Sequence, residues 1–106
     1  MITSSRIQAL CRRIADEFRP ERIILFGSHA SGHAREDSDV DLLVVMPFKG
    51  KCARKSVEIL NRVEPDFPVD VIVRTPRQIR ERLAGNDFFL REVVMNGKIL
   101  YEAARP

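Results

Sequence analysis

Five residues have types and spacing that could carry chemistry: Gly27, Ser28, Asp39, Asp41 and Asp70. Gly27-Ser28 ends the apolar run Arg22-Ile23-Ile24-Leu25-Phe26, and ten residues separate it from Asp39-Val40-Asp41, which opens a second apolar run through Met46. A glycine lets the backbone turn tightly and approach a ligand. A serine after it brings a hydroxyl and its own N–H to the start of a helical turn, a place that suits phosphate. Two aspartates two residues apart on an extended segment point to the same face, with Cα atoms roughly 6 to 7 Å apart, so both can reach one hard cation. Facing carboxylates in an otherwise apolar strand repel, and burying them without a counter-charge is costly. Magnesium removes the conflict, because it takes oxygen ligands and joins one or two carboxylates to substrate phosphates. Asp70 stands at the start of a third apolar run, Val69-Asp70-Val71-Ile72-Val73. If that strand pairs beside the second, three carboxylates converge, and a two-ion site can stabilise both attacking and leaving oxygens of an in-line displacement. Asp70 would then help deprotonate an incoming hydroxyl. Singly, a Gly-Ser after a strand is an ordinary turn and an Asp-x-Asp a solvated edge; the chemistry lies in the combination.

The elements that must position these residues can be read from periodicity. Ile7, Leu10, Cys11, Ile14, Ala15 and Phe18 recur every three or four residues and predict a helix, capped by Ser4 or Ser5 and ending before Pro20. The two runs around Gly27-Ser28 and Asp39-Asp41 are short and rich in strand formers, so both predict buried strands. Cys52, Ala53, Val57, Leu60 and Val63 predict a helix between Lys51 and Val63, with Pro65 and Pro68 at its exit, leading into the Asp70 strand. Thr75 before Pro76 is a helix start that Gly85 can close, and Asn86 or Asp87 can cap a further helix through Val94, ended by Gly97. Lys98 to Glu102 reads as a weak last strand. Strands alternating with helices predict a single α+β domain over 1–106, a two-layer arrangement with a small mixed β-sheet packed with helices.

With 106 residues, 44% of them hydrophobic and 31% charged, the chain can bury one core but has no room for a separate substrate domain. Any large substrate must therefore come from outside. The net charge of +3 is mild, and its Lys and Arg residues are spread among acidic ones. Arg12, Arg13, Arg19, Arg22, Lys51 and Lys55 leave a small nucleic-acid-binding domain as the last-ranked reading, since they form no dense basic stripe. Cys11 and Cys52 both fall at apolar helical positions and read as reduced core residues. With no bilayer-length apolar run and no signal-peptide pattern at the N-terminus, they point to a cytoplasmic protein. His29 and His33 lack the partners of a zinc site and read as surface or phosphate-side residues.

The segment ILFGSHASGHAREDSDVDLLVV, with Gly27-Ser28, ten intervening residues and Asp39-x-Asp41, resembles the minimal nucleotidyltransferases of the DNA polymerase β-like superfamily. The leading helix, the Asp70 strand and the ending VMNGKILYE extend the resemblance over nearly the whole chain. It implies a polymerase β-like palm fold in which Gly27 and Ser28 hold the triphosphate of ATP, while Asp39, Asp41 and Asp70 bind magnesium, two ions in all. It also implies a partner: many members are antitoxins of a HEPN-domain ribonuclease toxin, to whose tyrosine they transfer AMP, within a hetero-oligomer of the two. Family members often carry arginine directly after Gly-Ser and again two positions later, where this chain has His29 and Ser31. The alternative is therefore an antitoxin that neutralises its toxin by docking alone.

Overall fold

A computed structural model describes residues 2–104. The chain runs α1 (Ser4–Phe18), β1 (Arg22–Phe26), α2 (Ser28–Ser31), β2 (Val40–Val45), α3 (Cys52–Val63), β3 (Val69–Arg74), α4 (Pro76–Ala84), α5 (Phe88–Asn96) and β4 (Lys98–Glu102). The four strands form one mixed sheet in the order β3-β2-β1-β4. β1 is antiparallel to both β2 and β4, whereas β2 and β3, joined through α3, run parallel.

The unbroken apolar runs of β1 and β2 have a simple cause: both faces of the sheet are covered, so successive side chains are buried on opposite sides. Ile23, Leu25, Val40, Leu42 and Val44 join Ile7, Leu10, Ile14, Ile59 and Val63 of α1 and α3 in one core cluster. Ile24, Leu43 and Val45 join Ile79, Leu90 and Val93 of α4 and α5 in a second. The α+β class and small mixed sheet are as the sequence predicts, and α4 with α5 adds a helical layer to the second face. Each fully buried Ile, Leu or Val contributes about 1.5 to 3 kcal/mol, so these two clusters hold the sheet as a rigid platform.

Local signals account for most element boundaries. Thr75 accepts from the Gln78 N–H while the Gln78 side chain accepts from the Thr75 N–H, a reciprocal cap with Pro76 following it. Asp87 caps α5 by accepting from Leu90 N–H. At α1 the cap is Thr3, which accepts from Arg6 N–H, and not Ser4 or Ser5, which are already helical.

The inner face of α3 also differs from the predicted stripe. Ile59 and Val63 are buried, while Val57 is 56% exposed. The cause is Ser56, whose hydroxyl donates to the Val71 carbonyl at 2.6 Å and so occupies the sheet-facing side that apolar periodicity would assign elsewhere. Both cysteines are free, as expected; Cys11 is core, but Cys52 is only half-buried at the start of α3. Burial pushes the Cys11 thiol up to about 11. No helix among the described residues is long and apolar enough to cross a membrane.

Candidate nucleotide and metal site

The sheet register gathers all five candidate residues at one end. β1 finishes at Phe26, opposite Asp41 of the antiparallel β2, so the Gly27-Ser28 turn emerges beside that aspartate. In the parallel pair, Asp41 is in register with Asp70, on strands about 4.8 Å apart. Asp39 lies two residues before Asp41, just ahead of β2, and is exposed, as is Asp70; Asp41 is half-buried. The strand pairing anticipated for Asp70 is therefore present.

Gly27 adopts φ 76°, ψ −156°, a region that L side chains scarcely populate. A Cβ built on it would collide with the Asp41 carboxylate. The bare Cα thus forms the surface on which Asp41 rests, and it couples the turn to the acidic strand. The Ala30 and Ser31 N–H groups both return to the Gly27 carbonyl at 3.1 Å. This leaves the first N–H groups of α2, those of Ser28 and His29, without an intrahelical acceptor.

The electrostatics express the carboxylate conflict. The Asp41 carboxyl is raised above its ordinary range, first by burial, then by the charges of Asp70 and Asp39, with His29 acting in the opposite direction. Asp41 therefore sits where a cation would relieve it. An all-carboxylate donor set suits a hard, oxygen-seeking ion, and magnesium needs only one or two protein carboxylates when phosphate and water complete its shell. Among the described residues, no three His, Cys, Asp or Glu side chains are already arranged as a metal cage.

Two features escaped the sequence reading, a contact made by His29 and a cavity beside the turn. His29 reaches across the loop, its Nε2 at 3.2 Å from the Ser38 carbonyl, one residue before Asp39. His33 turns away to the Ser31 hydroxyl at 3.1 Å, so the two histidines do not form a pair. Beside the turn lies a cavity of about 430 Å³, reached by Phe26, Gly27, Ala30 and Ser31 on one side and by Phe89, Glu92 and Asn96 of α5 on the other. The sequence signal for this last feature was the spacing of Phe89, Glu92, Val93 and Asn96, which places them on one helical face. Without the packing of α5 nothing tied that face to Gly27.

Comparison with known proteins identifies the family and the fold. The family model described as "Nucleotidyltransferase domain" matches residues 7–101. A search of curated proteins finds no match. Among solved structures, a protein of Sulfolobus solfataricus assigned to the nucleotidyltransferases is 21% identical, with 92% of this chain and 78% of that one covered and a TM-score of 0.65. A toxin–antitoxin structure with AMP-PNP is 21% identical over 96% of this chain and 75% of its own, with a TM-score of 0.55. A variant of the MntA–HpeT toxin–antitoxin pair is 22% identical over 97% and 75%, with a TM-score of 0.58. At such identities the likeness concerns the fold.

Proposed function

Because the chain belongs to the nucleotidyltransferase domain family, we propose that it transfers AMP from ATP to a hydroxyl, a tyrosine of a HEPN-domain ribonuclease toxin, and thereby acts as the antitoxin. The observation that carries this reading is the register of Asp41 against Asp70 directly beside the Gly27 turn. It joins a place for phosphates to a place for the cation that accompanies them. The structural neighbours solved as toxin–antitoxin assemblies, one with AMP-PNP, support the partner and the nucleotide.

In this reading the free N–H groups of Ser28 and His29, with the Ser28 hydroxyl, hold phosphate oxygens and fix the triphosphate in line with the acceptor. Asp39 and Asp41 are the metal ligands and Asp70 completes the acidic set. Bound magnesium supplies charge neutralisation of the phosphates and of the leaving group. The acceptor oxygen forms a bond to the α-phosphorus as the bond from that phosphorus to the bridging oxygen breaks. Pyrophosphate leaves, and the hydroxyl proton passes to the Asp70 carboxylate and on to solvent. Positioning and charge placement carry the catalysis, as in other phosphoryl-group transfers.

Exposed apolar side chains on α5 and β4, among them Phe88, Met95 and Ile99, support a surface on which a partner chain docks. The test is the intact mass of the HEPN partner after incubation with this protein, ATP and Mg²⁺, beside an Asp39→Ala/Asp41→Ala control. A gain of whole AMP units, absent with the control, is the expected result. An unchanged mass, with a stable complex formed by both versions, would instead establish neutralisation by docking.

A further inference from the structure

The cavity beside Gly27 has no part in the phosphate and metal chemistry just described, yet it shares Gly27 with the turn proposed to hold the phosphates and is lined by Ala30 and Ser31 of the α2 turn that follows. Its volume of about 430 Å³ is within the range of small-molecule sites. Phe26 and Phe89 meet edge to face at 5.6 Å along its wall, and Phe89 remains 51% exposed. A large aromatic side chain left half in water beside an open cavity has a face available for stacking. Two exposed polar side chains complete the lining: Glu92 and Asn96, one helical turn apart on the same face of α5. Glu92 takes part in none of the ion pairs among the described residues.

The charge of Glu92 decides which part of a ligand can lie there. A carboxylate repels phosphate, so the polyanionic end of a nucleotide belongs at the Gly27-Ser28 turn and its uncharged end at α5. A carboxylate also only accepts hydrogen bonds, whereas an asparagine amide both donates and accepts. Together they complement a base edge that offers an amino group next to a ring acceptor. Adenine presents such an edge, and asparagine pairs with it through two bonds. Uracil would instead turn a carbonyl oxygen towards the carboxylate.

We infer that this cavity receives the base of the nucleoside triphosphate, with Phe89 against its face and Glu92 and Asn96 selecting adenine over uracil. The inference rests on the reading of Gly27-Ser28 as the phosphate turn, and the test separates the two. Equilibrium binding of ATP, UTP and inorganic tripolyphosphate is measured in Mg²⁺ for the unmodified protein and for Glu92→Ala and Asn96→Ala, both changes at exposed positions. A hydrogen bond to a charged acceptor is worth roughly tenfold in affinity. ATP should therefore bind roughly tenfold more tightly than UTP, and Glu92→Ala should bring the two together without weakening tripolyphosphate. If tripolyphosphate binds but the ratio of ATP to UTP is the same in all three proteins, the base lies elsewhere and the inference fails, with the phosphate turn intact. If tripolyphosphate does not bind at all, the phosphate turn and this inference fall together.

Discussion

Replacing Gly27 by alanine should expose how the turn and the acidic strand depend on each other. Two effects add at this position. The backbone at φ 76°, ψ −156° lies in a region open essentially to glycine alone, and holding an L residue there costs on the order of 1 to 3 kcal/mol. The new Cβ also meets the Asp41 carboxylate, which must move. Gly32 is the matched control, with φ 83° and ψ 13° but nothing within 4 Å of the position its Cβ would take. Alanine there meets only the left-handed penalty of roughly 1 to 2 kcal/mol. For a domain of this size each kcal/mol moves the melting temperature by roughly 4 to 8 °C. Gly27→Ala should thus melt on the order of 5 to 20 °C lower than the unmodified chain, and clearly below Gly32→Ala. Adding Asp41→Ala removes the atoms that collide and should restore part of the loss, a coupling on the order of 1 kcal/mol or more. Circular dichroism melts of the two single variants and the double variant, without nucleotide, read this directly. If Gly27→Ala melts with Gly32→Ala, or if the second change adds rather than restores, the contact between the turn and Asp41 does not have the role given to it.

Three further outcomes follow from the same structure. The Asp41 carboxyl is raised from its ordinary 3.8, so the folded chain holds that proton more tightly than the unfolded one, and its stability falls as pH rises through the window above 3.8. Asp41→Asn should therefore melt higher than the unmodified metal-free protein at neutral pH, lose that advantage in acid below the unfolded value, and gain nothing from added Mg²⁺ and ATP. Ile59→Ala should cost about 2 to 5 kcal/mol in urea unfolding, since Ile59 is wholly buried. Val57→Ala, on the same helix, should stay within about 0.5 kcal/mol. Removing the bond from His29 to the Ser38 carbonyl by His29→Ala should weaken Mn²⁺ binding, measured by the paramagnetic signal of the free ion, and His29→Gln should recover part of it.

Much of the fold was legible because local and global signals agree here. The continuous apolar runs of β1 and β2, the Thr75-Pro76 start and the Asp87 cap each have one cheap physical solution, and the chain takes it. The placement of Asp70 beside Asp41 could be anticipated because a helix between two apolar strands favours a parallel pair. What could not be read depended on tertiary contacts. Ser56 is polar, so periodicity cannot show that it faces the sheet until the Val71 carbonyl is there to receive it. Thr3 outcompetes Ser4 and Ser5 as a cap by one or two positions, a choice that composition alone leaves open. The cavity at Gly27 exists because α5 packs on β1, where any side chain at Gly97 would strike the Val93 carbonyl and Ile24.

The claim that everything else serves is that a nucleotidyl group, and not a terminal phosphate, moves to the partner. Parallel incubations of this protein and its proposed HEPN partner with ATP radiolabelled at the α-phosphate or at the γ-phosphate are the test. A labelled partner is expected from the α-labelled nucleotide alone, with Mg²⁺ required and the label lost in Asp39→Ala/Asp41→Ala. Label from the γ-position would show phosphoryl transfer instead, and label from neither would leave the acidic site at Asp41 and Asp70 without the reaction assigned to it.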